Sequence, residues 1–486
     1  MQALADITLA FPAGEIHAVL GENGAGKSTL MHVLAGRYQP DRGSIRIDNK
    51  AVRFSSPLVA KRAGIGMVHQ HFTLVEPLTV AENLVLCLPD RPRFWLSAGD
   101  AARHARHLAQ RVGLDIGDPT AIAGTLPVGL RQRIEIVKAL ASDARVLILD
   151  EPTAVLTREE TLQLFVMLRQ LRASGRLILF ITHKLREVSE LADRVTVMRR
   201  GRVINTRTLA ETSEAEMAEA MIGAPAPQRR PRRPIASDAP VQLALDALAT
   251  APDGACALRG LTLSVRAGEI FGIAGVAGNG QQELFEALAG LRPSRSGCVR
   301  VGERTVDLAS PAAATDAGIG LIPPDRQRDG LVLAMSIAEN AVLNRRVLES
   351  LRNGVLLVPA AVARFAAELV ERYDVRTDTL DTPASALSGG NQQRLIVGRQ
   401  LAPQPEVLVA VDPTRGLDIA AAQSVYDALD AVAASGRAVL LITSDLDEVL
   451  DLSHRFAVLY EGRLSAPLAP PVAPDVLGRL MAGASQ

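Results

Sequence analysis

The sequence predicts an α/β protein built from two tandem copies of one domain, each on a mainly parallel sheet with a helical subdomain. Three observations predict it. The first is a long internal repeat. AGEIHAVLGENGAG (13–26) recurs as AGEIFGIAGVAGNG (267–280), and AGIGMVHQ (63–70) as AGIGLIPP (317–324), both 254 residues on. TVAEN (79–83) recurs as SIAEN (336–340) at 257, and LPVGLRQR (126–133) as LSGGNQQR (387–394) at 261. One order with a slowly drifting offset means a duplicated domain, and the period is far too long for a solenoid. The second observation is the set of uninterrupted apolar runs, such as VLILD (146–150) and GRLILFIT just before His183. Runs of that kind belong to parallel sheets covered on both faces. The third is a glycine loop lying between a short apolar strand, EIHAVL (15–20), and a helical stretch, STLMHVLAG (28–36).

The copies are expected at 1–223 and 241–486. The stretch between them, 224–240, is rich in Pro and Arg, lacks apolar periodicity and reads as an extended surface linker. After it, VQLALDALA alternates like a strand. Met1 aligns with Ala255, so residues 241–254 have no partner in the first copy. Either that copy begins mid-sheet or its start lies upstream. The upstream start is favoured, because a missing strand would leave an open edge.

Composition narrows the function. Among 486 residues, 53 Lys+Arg balance 53 Asp+Glu, without the basic excess of a general nucleic-acid binder. Cys87, Cys256 and Cys298 lie far apart, which suits neither a disulfide framework nor a zinc site. The first fifteen residues do not read as a secretory signal, and no run is long and apolar enough to span a bilayer.

GENGAGKST (21–29) satisfies G-x-x-x-x-G-K-[ST] in the strand-to-helix setting that motif requires. Its residues Gly21, Glu22, Asn23, Gly24, Ala25, Gly26, Lys27, Ser28 and Thr29 are expected to cradle the phosphates of a nucleotide. Backbone amides curl round the β-phosphate at a helix N-terminus, Lys27 reaches the β and γ oxygens, and Ser28 offers its hydroxyl to Mg²⁺. The second copy reads GVAGNGQQE (275–283), with Gln281 for the lysine and Gln282 for the serine. An amide cannot offset triphosphate charge. Two readings stand for that loop: weak, non-hydrolytic nucleotide binding, or none.

VLILDEP (146–152) ends a buried strand in two acids. Asp150 is expected to hold the metal and Glu151 to act as general base on the attacking water. The second copy, VLVAVDP (407–413), puts Val411 and Asp412 at those positions. His183 aligns with Ser444 and is placed to bond the γ-phosphate and hold the water near Glu151. Gln70, after a short apolar strand, is placed to reach metal and water, and Pro324 stands in its place in the second copy. The pair His69 and His71 lacks a third ligand and reads as a surface feature.

Taken together, the phosphate loop, the Gln70 strand, LSGGNQQR, DEPT and His183 resemble the nucleotide-binding subunits of ATP-binding cassette (ABC) transporters, over almost the whole chain. The doubled form, with PTRGLD (413–418), HQHF (69–72) and TAVLT (153–157), is similar to importers of simple sugars and nucleosides, and GMVHQHFTLVEPLTVAEN with VGLRQR looks closer to the nucleoside branch. The resemblance implies ATP and Mg²⁺ and integral membrane permease subunits as partners, with a solute-binding protein acting indirectly. It also implies a peripheral place at the cytoplasmic face of the cell membrane and no nucleic acid. It implies a head-to-tail pairing of cassettes, within one chain or with a second copy. The phosphate loop of one then faces the LSGG segment of the other, where Ser388 and the amides of Gly389 and Gly390 meet the γ-phosphate. On that geometry the intact loop, Gln70, Asp150, Glu151 and His183 face the intact LSGGN. The other site joins Gln281, Gln282, Val411 and Ser444 to Pro127 and Val128. One competent and one degenerate site result. Thr157, where the second copy has Asp418, is the one departure that falls outside this division.

In this family an aromatic residue upstream of the loop stacks on adenine. The first copy lacks that stretch, and Phe11 is a poor substitute. The stretch 84–125 reads as helical and amphipathic, with the permease docking beside Gln70; Trp95 in it is core or part of that docking face. The alternative is a soluble ABC-type ATP switch acting on ribosomes or DNA, which would need a long charged arm or metal-binding insertions between the cassettes.

Overall fold

The computed structural model describes residues 2–22, 24–69, 72–87, 97–153, 156, 158–223, 234–236, 238–251, 256–275, 278–481 and 483. The chain forms two compact units, residues 1–226 and 227–486.

The first unit is organised by a six-stranded sheet in the order Ile65–Val68, Val146–Asp150, Leu177–Ile181, Ile16–Leu20, Arg194–Arg199, Arg202–Thr208. All neighbours are parallel except the last pair. The uninterrupted apolar runs follow from burial on both faces. Leu147, Leu149, Ile178 and Phe180 pack on one side with Phe165 and Leu168 of the helix Arg158–Ala173. Val19, Ile148, Leu179 and Ile181 pack on the other with Met31. The Phe165 and Phe180 rings meet edge to face at 6.0 Å. Phe180→Ala would cost about 3–5 kcal/mol.

The second unit repeats this order: Ile319–Ile322, Val407–Val411, Ala438–Thr443, Ile270–Ala274, Arg455–Tyr460, Arg463–Leu464. It adds a four-stranded antiparallel sheet, Arg259–Arg266, Val241–Thr250, Ser294–Val301, Arg304–Val306. In the first unit only the hairpin Ile45–Ile47 with Lys50–Val52 corresponds to it among the described residues. The segment 5–12, which aligns with Arg259–Arg266, keeps its start: Ala5 N–H donates to the Gly201 carbonyl at 2.8 Å, as Arg259 N–H does to Gly462. Ile7, Leu9 and Phe11 still turn toward the core. The segment forms no strand, because a strand needs a neighbour for its backbone groups.

The helical subdomains explain why TVAEN and SIAEN match. Thr79 with Glu82, and Ser336 with Glu339, form capping boxes that start Val80–Val85 and Ile337–Ala341. Asn83 and Asn340 then fasten the preceding turns: their side-chain oxygens accept from Val75 and Val332, and their amides donate back to the same residues. The expectation of one helical stretch over 84–125 holds only in part. Ala98–Val112 is a helix, but Gly113 takes a left-handed C-cap, and beyond it only the short turn Ala123–Thr125 is helical. Trp95 lies outside the described residues, as does most of the expected linker. Among the described residues no helix is long and apolar enough to cross a membrane.

Candidate functional site

The phosphate loop connects Ile16–Leu20 to the helix Lys27–Leu34. Gly26, the N-cap, sits at φ +98°, a conformation closed to most side chains. A Cβ on Gly21 would come within 2.5 Å of the Met198 carbonyl, so that strand's approach requires glycine. Ala25 is buried in the core and anchors the loop: its carbonyl accepts from Gly201 N–H at 3.0 Å. Gly24 and Ser28 are exposed and Thr29 is half-buried. Lys27 is buried, and its ammonium donates to the carbonyls of Gly21 at 2.6 Å and Glu22 at 3.0 Å. These carbonyls hold the ammonium over the loop, where phosphate oxygens would replace them. Asn23 lies outside the described residues.

Ser28 Oγ donates to Asp150 at 3.5 Å. Asp150 ends its strand buried, and burial pushes its carboxyl up, against the pull of Ser28. A hydroxyl and a carboxylate facing each other here are hard oxygen donors that suit Mg²⁺. Glu151 follows at φ +46°, in the left-handed region, with its N–H bonded to the Ile181 carbonyl at 3.0 Å. That turn aims the carboxylate at His183, whose Nδ1 lies 3.1 Å from Glu151 Oε1. Burial would raise the Glu151 carboxyl, but the His183 bond and the charges of His183, Lys27 and Lys184 overcome it and hold the group below the usual carboxylate range. His183 lies two residues beyond the strand Leu177–Ile181, not at its last residue.

A second buried carboxylate, unmarked by any motif, braces this corner. Glu187 accepts from Thr153 Oγ1 at 2.6 Å and Thr182 Oγ1 at 2.8 Å, with Lys184 at 3.3 Å. Its signal was available only by pairing the repeat: Glu187 aligns with Glu448, and Thr153 with Thr414.

The second unit keeps the frame and changes the groups. Gly280 is again a left-handed N-cap, at φ +117°. Gln281 Oε1 accepts from Asn279 N–H at 3.2 Å. Asp412 takes the same turn, φ +40°, with its N–H on the Ile442 carbonyl at 2.8 Å. Its carboxylate is occupied by Ser444, which donates from N–H at 2.9 Å and from Oγ at 3.3 Å. Val411 is buried and offers no oxygen to a cation.

Ser388 caps the helix Gly389–Leu401, accepting from Asn391 N–H, so the first amides of that helix start at glycines. The corresponding helix Val128–Leu140 is preceded by Pro127, with no side-chain cap. Thus the structure brings Lys27, Ser28, Asp150, Glu151 and His183 together in one unit. Ser388, Gly389 and Gly390 stand in the other. Gln70 and His71 lie outside the described residues. His69 differs from the expected surface position: it is half-buried, its ring 6.1 Å from that of His32. Phe11 packs edge-on against His17 at 4.8 Å, which engages the ring rather than leaving it for a base. Sequence reasoning also missed a cavity of about 270 Å³ against the loop, lined by Glu22, Gly24, Ala25, Arg199, Arg200 and Gly223.

Comparison with known proteins gives the family. The family described as "ABC transporter" matches residues 4–154 and 258–415. The chain is 44% identical over 484 residues to the guanosine import ATP-binding protein NupO of Bacillus subtilis, covering 99% of this chain and 94% of that one. It is 39% identical to the nucleoside import ATP-binding protein NupA of Lactococcus lactis, covering 98% and 94%. It is also 42% identical to the glucose import ATP-binding protein TsgD13 of Haloferax volcanii, covering 96% and 90%. A solved structure of the archaeal ribosome recycling factor aABCE1 with the stalk protein aP1 superposes with a TM-score of 0.66 over 98% of this chain and 89% of that one, at 18% identity, a likeness of fold alone. With two matched domains and full-length relatives, the chain belongs to the ABC transporter family, as a tandem-domain ATPase subunit.

Proposed function

We propose that this chain is the ATP-hydrolysing subunit of an importer of nucleosides or simple sugars, working on the cytoplasmic face of the membrane through a separate permease that takes cargo from a solute-binding protein. The names of the relatives at 39–44% identity support the cargo class. The ribosome-linked likeness at 18% identity favours no competing role. We further propose one competent ATP site, made by the first unit's loop and carboxylates with the second unit's Ser388, Gly389 and Gly390, and one degenerate site. The observation that carries this is the Glu151–His183 contact beside Ser28 and Asp150, against Asp412–Ser444 beside Gln281 and Val411.

In the reaction, Lys27 and the loop amides hold the β- and γ-phosphates. Ser28, Asp150 and Gln70 are the residues that would hold Mg²⁺, which neutralises phosphate charge when bound. Glu151 accepts a proton from water as its oxygen attacks the γ-phosphorus and the bond to the β-phosphate oxygen breaks, giving ADP and phosphate. An ionised Glu151 can only accept, so His183 Nδ1 donates to it. The neutral ring then presents Nε2 as an acceptor, suited to a hydrogen of the attacking water. Donation to the γ-phosphate needs the imidazolium. Ser388 and the amides after it meet the γ-phosphate from the far side.

The test is ATP-driven uptake in proteoliposomes holding the permease and this chain, supplied with binding protein loaded with a nucleoside or a sugar. Glu151→Gln should abolish uptake while retaining ATP binding. Uptake unaffected by that change would overturn the proposal.

A further inference from the structure

The two signature-type helices differ in what stands behind their first amides. In the first unit, Gly129 N–H donates to Glu160 Oε1 at 3.0 Å. Glu160 belongs to the helix Arg158–Ala173 and lines a cavity of about 160 Å³ with Gly129, Gln132 and Arg133. A carboxylate from the chain itself therefore takes the amide that, by the anion logic of a helix N-terminus, suits a phosphate oxygen. In the second unit Gly390 stands at the position of Gly129 and Ala421 at that of Glu160. The helices do not approach equally: a Cβ on Gly129 would come 2.6 Å from Glu160 Oε1, at the far end of a long side chain, whereas one on Gly390 would come 2.9 Å from the methyl of Ala421, a buried core residue. In the first unit a carboxylate reaches across the gap, and in the second a methyl closes a narrower one.

A guanidinium adds to the contrast. Arg326 packs on Gly389, 2.8 Å from where a Cβ would be, and donates to the Arg415 carbonyl at 2.8 Å. Its Nε is buried without a hydrogen-bond partner among the described residues. The neighbouring Asp325 carboxylate is turned to the amides of Gln327 and Arg328. The aligned residue in the first unit is Phe72, an apolar ring under Arg131. So the intact signature has Arg326 on its first glycine and an alanine behind it, while the altered one has Phe72 in place of that arginine and a bound carboxylate.

We propose that Glu160 is a built-in anion that fills the phosphate position of the first unit's signature helix and keeps a γ-phosphate out of the degenerate site, and that Ala421, with a methyl and no charge, and Arg326 place no anion at the matching position of the competent one. This rests on the composite-site reading above. A carboxylate and a γ-phosphate cannot share one amide, and at a few ångströms their repulsion in a partly buried site is large. Glu160 is thus a positioning residue that acts by exclusion.

The experiment moves the charge between the halves of the full chain. Ala421→Glu should lower the maximal ATPase rate at least about tenfold, while nucleotide binding at residues 21–29 changes less than about twofold. Ala421→Gln, of equal size and no charge, should lose much less. Glu160→Ala should raise the affinity of a second ATP analogue per chain, read by equilibrium dialysis with MgATPγS, at least about fivefold. Ala421→Glu indistinguishable from Ala421→Gln, or an unchanged second binding event in Glu160→Ala, would overturn the proposal. Ser388→Ala, run alongside, keeps the two readings apart: if it leaves hydrolysis intact, the composite site itself fails.

Discussion

The strand ends at Asp150–Glu151 and Val411–Asp412 have one backbone and two chemistries. Both turn through the left-handed region, both bond the next strand's carbonyl, and both rest on a buried glutamate held by threonine. Yet one end carries two acids, the second tied to histidine, and the other carries a valine and an aspartate tied to serine. A left-handed turn at a non-glycine residue costs about 1–3 kcal/mol. Its retention in the second unit, where the base has one methylene fewer and no histidine, shows that the turn serves the frame as well as the chemistry. The difference separates the backbone that holds the fold from the side chains proposed to perform hydrolysis.

The widest gap between the halves should appear in rate. Lys27→Ala, Glu151→Gln and Ser388→Ala are each expected to lower ATP hydrolysis at least about tenfold, with Glu151→Gln nearer a hundredfold. Gln281→Ala and Asp412→Asn should cost less than about threefold, since neither supplies a charge or proton acceptor placed for the reaction. Steady-state phosphate release checks this. Equal losses in both sets would break the comparison.

The buried glutamates extend it to stability. Glu187 has Lys184 beside it, whereas Glu448 has Asp445 at the aligned position. Burial pushes the Glu448 carboxyl from 4.5 up to about 7, with Asp445 and Asp412 adding to the rise. A carboxyl raised in the folded state favours folding while protonated. The contribution is complete below pH 4.5 and disappears as pH climbs through 7, a swing of up to about 3 kcal/mol. The second unit should therefore lose stability between those values, and Glu448→Gln should flatten the slope. Hydrogen exchange in Val407–Val411 and Ala438–Thr443 across that range reads the effect, and an unchanged slope in the variant would remove Glu448 as its source.

A smaller, sharper effect belongs to His183. His183→Ala removes the bond that pulls the Glu151 carboxyl down and leaves burial to push it up. Hydrolysis should fall about tenfold at pH 8 and further at pH 6, because the acid limb of the rate profile moves to higher pH. A loss of the same size at every pH would mean that His183 acts only on the water.

The fold was legible where periodicity and punctuation agree. Strands such as Val146–Asp150 and Leu177–Ile181 are uninterrupted apolar runs, and the loop between Leu20 and Lys27 is a motif with one structural meaning. The lysine, serine, acids and histidine of the candidate site followed from that motif and the repeat. What stayed hidden depends on contacts across the sequence. Glu160 reads as an ordinary acid on a helix until Gly129 is seen donating to it. Arg326 reads as one charge among the many in DRQRD until it lies on Gly389.

The smallest prediction concerns what the halves share. Thr79 and Ser336 each accept from the amide three residues on, while Glu82 and Glu339 return to the cap's own N–H. The bonds match to about 0.1 Å, so Thr79→Ala and Ser336→Ala should each cost about 1 kcal/mol. The loss should be local, read as faster amide exchange in Val80–Val85 and in Ile337–Ala341. Equal losses would mean that duplication preserved the helical subdomains by the same forces in both copies, even as the reactive groups diverged. A marked inequality would mean that the divergence reaches the frame, and the second half could not then be treated as the same scaffold with different side chains.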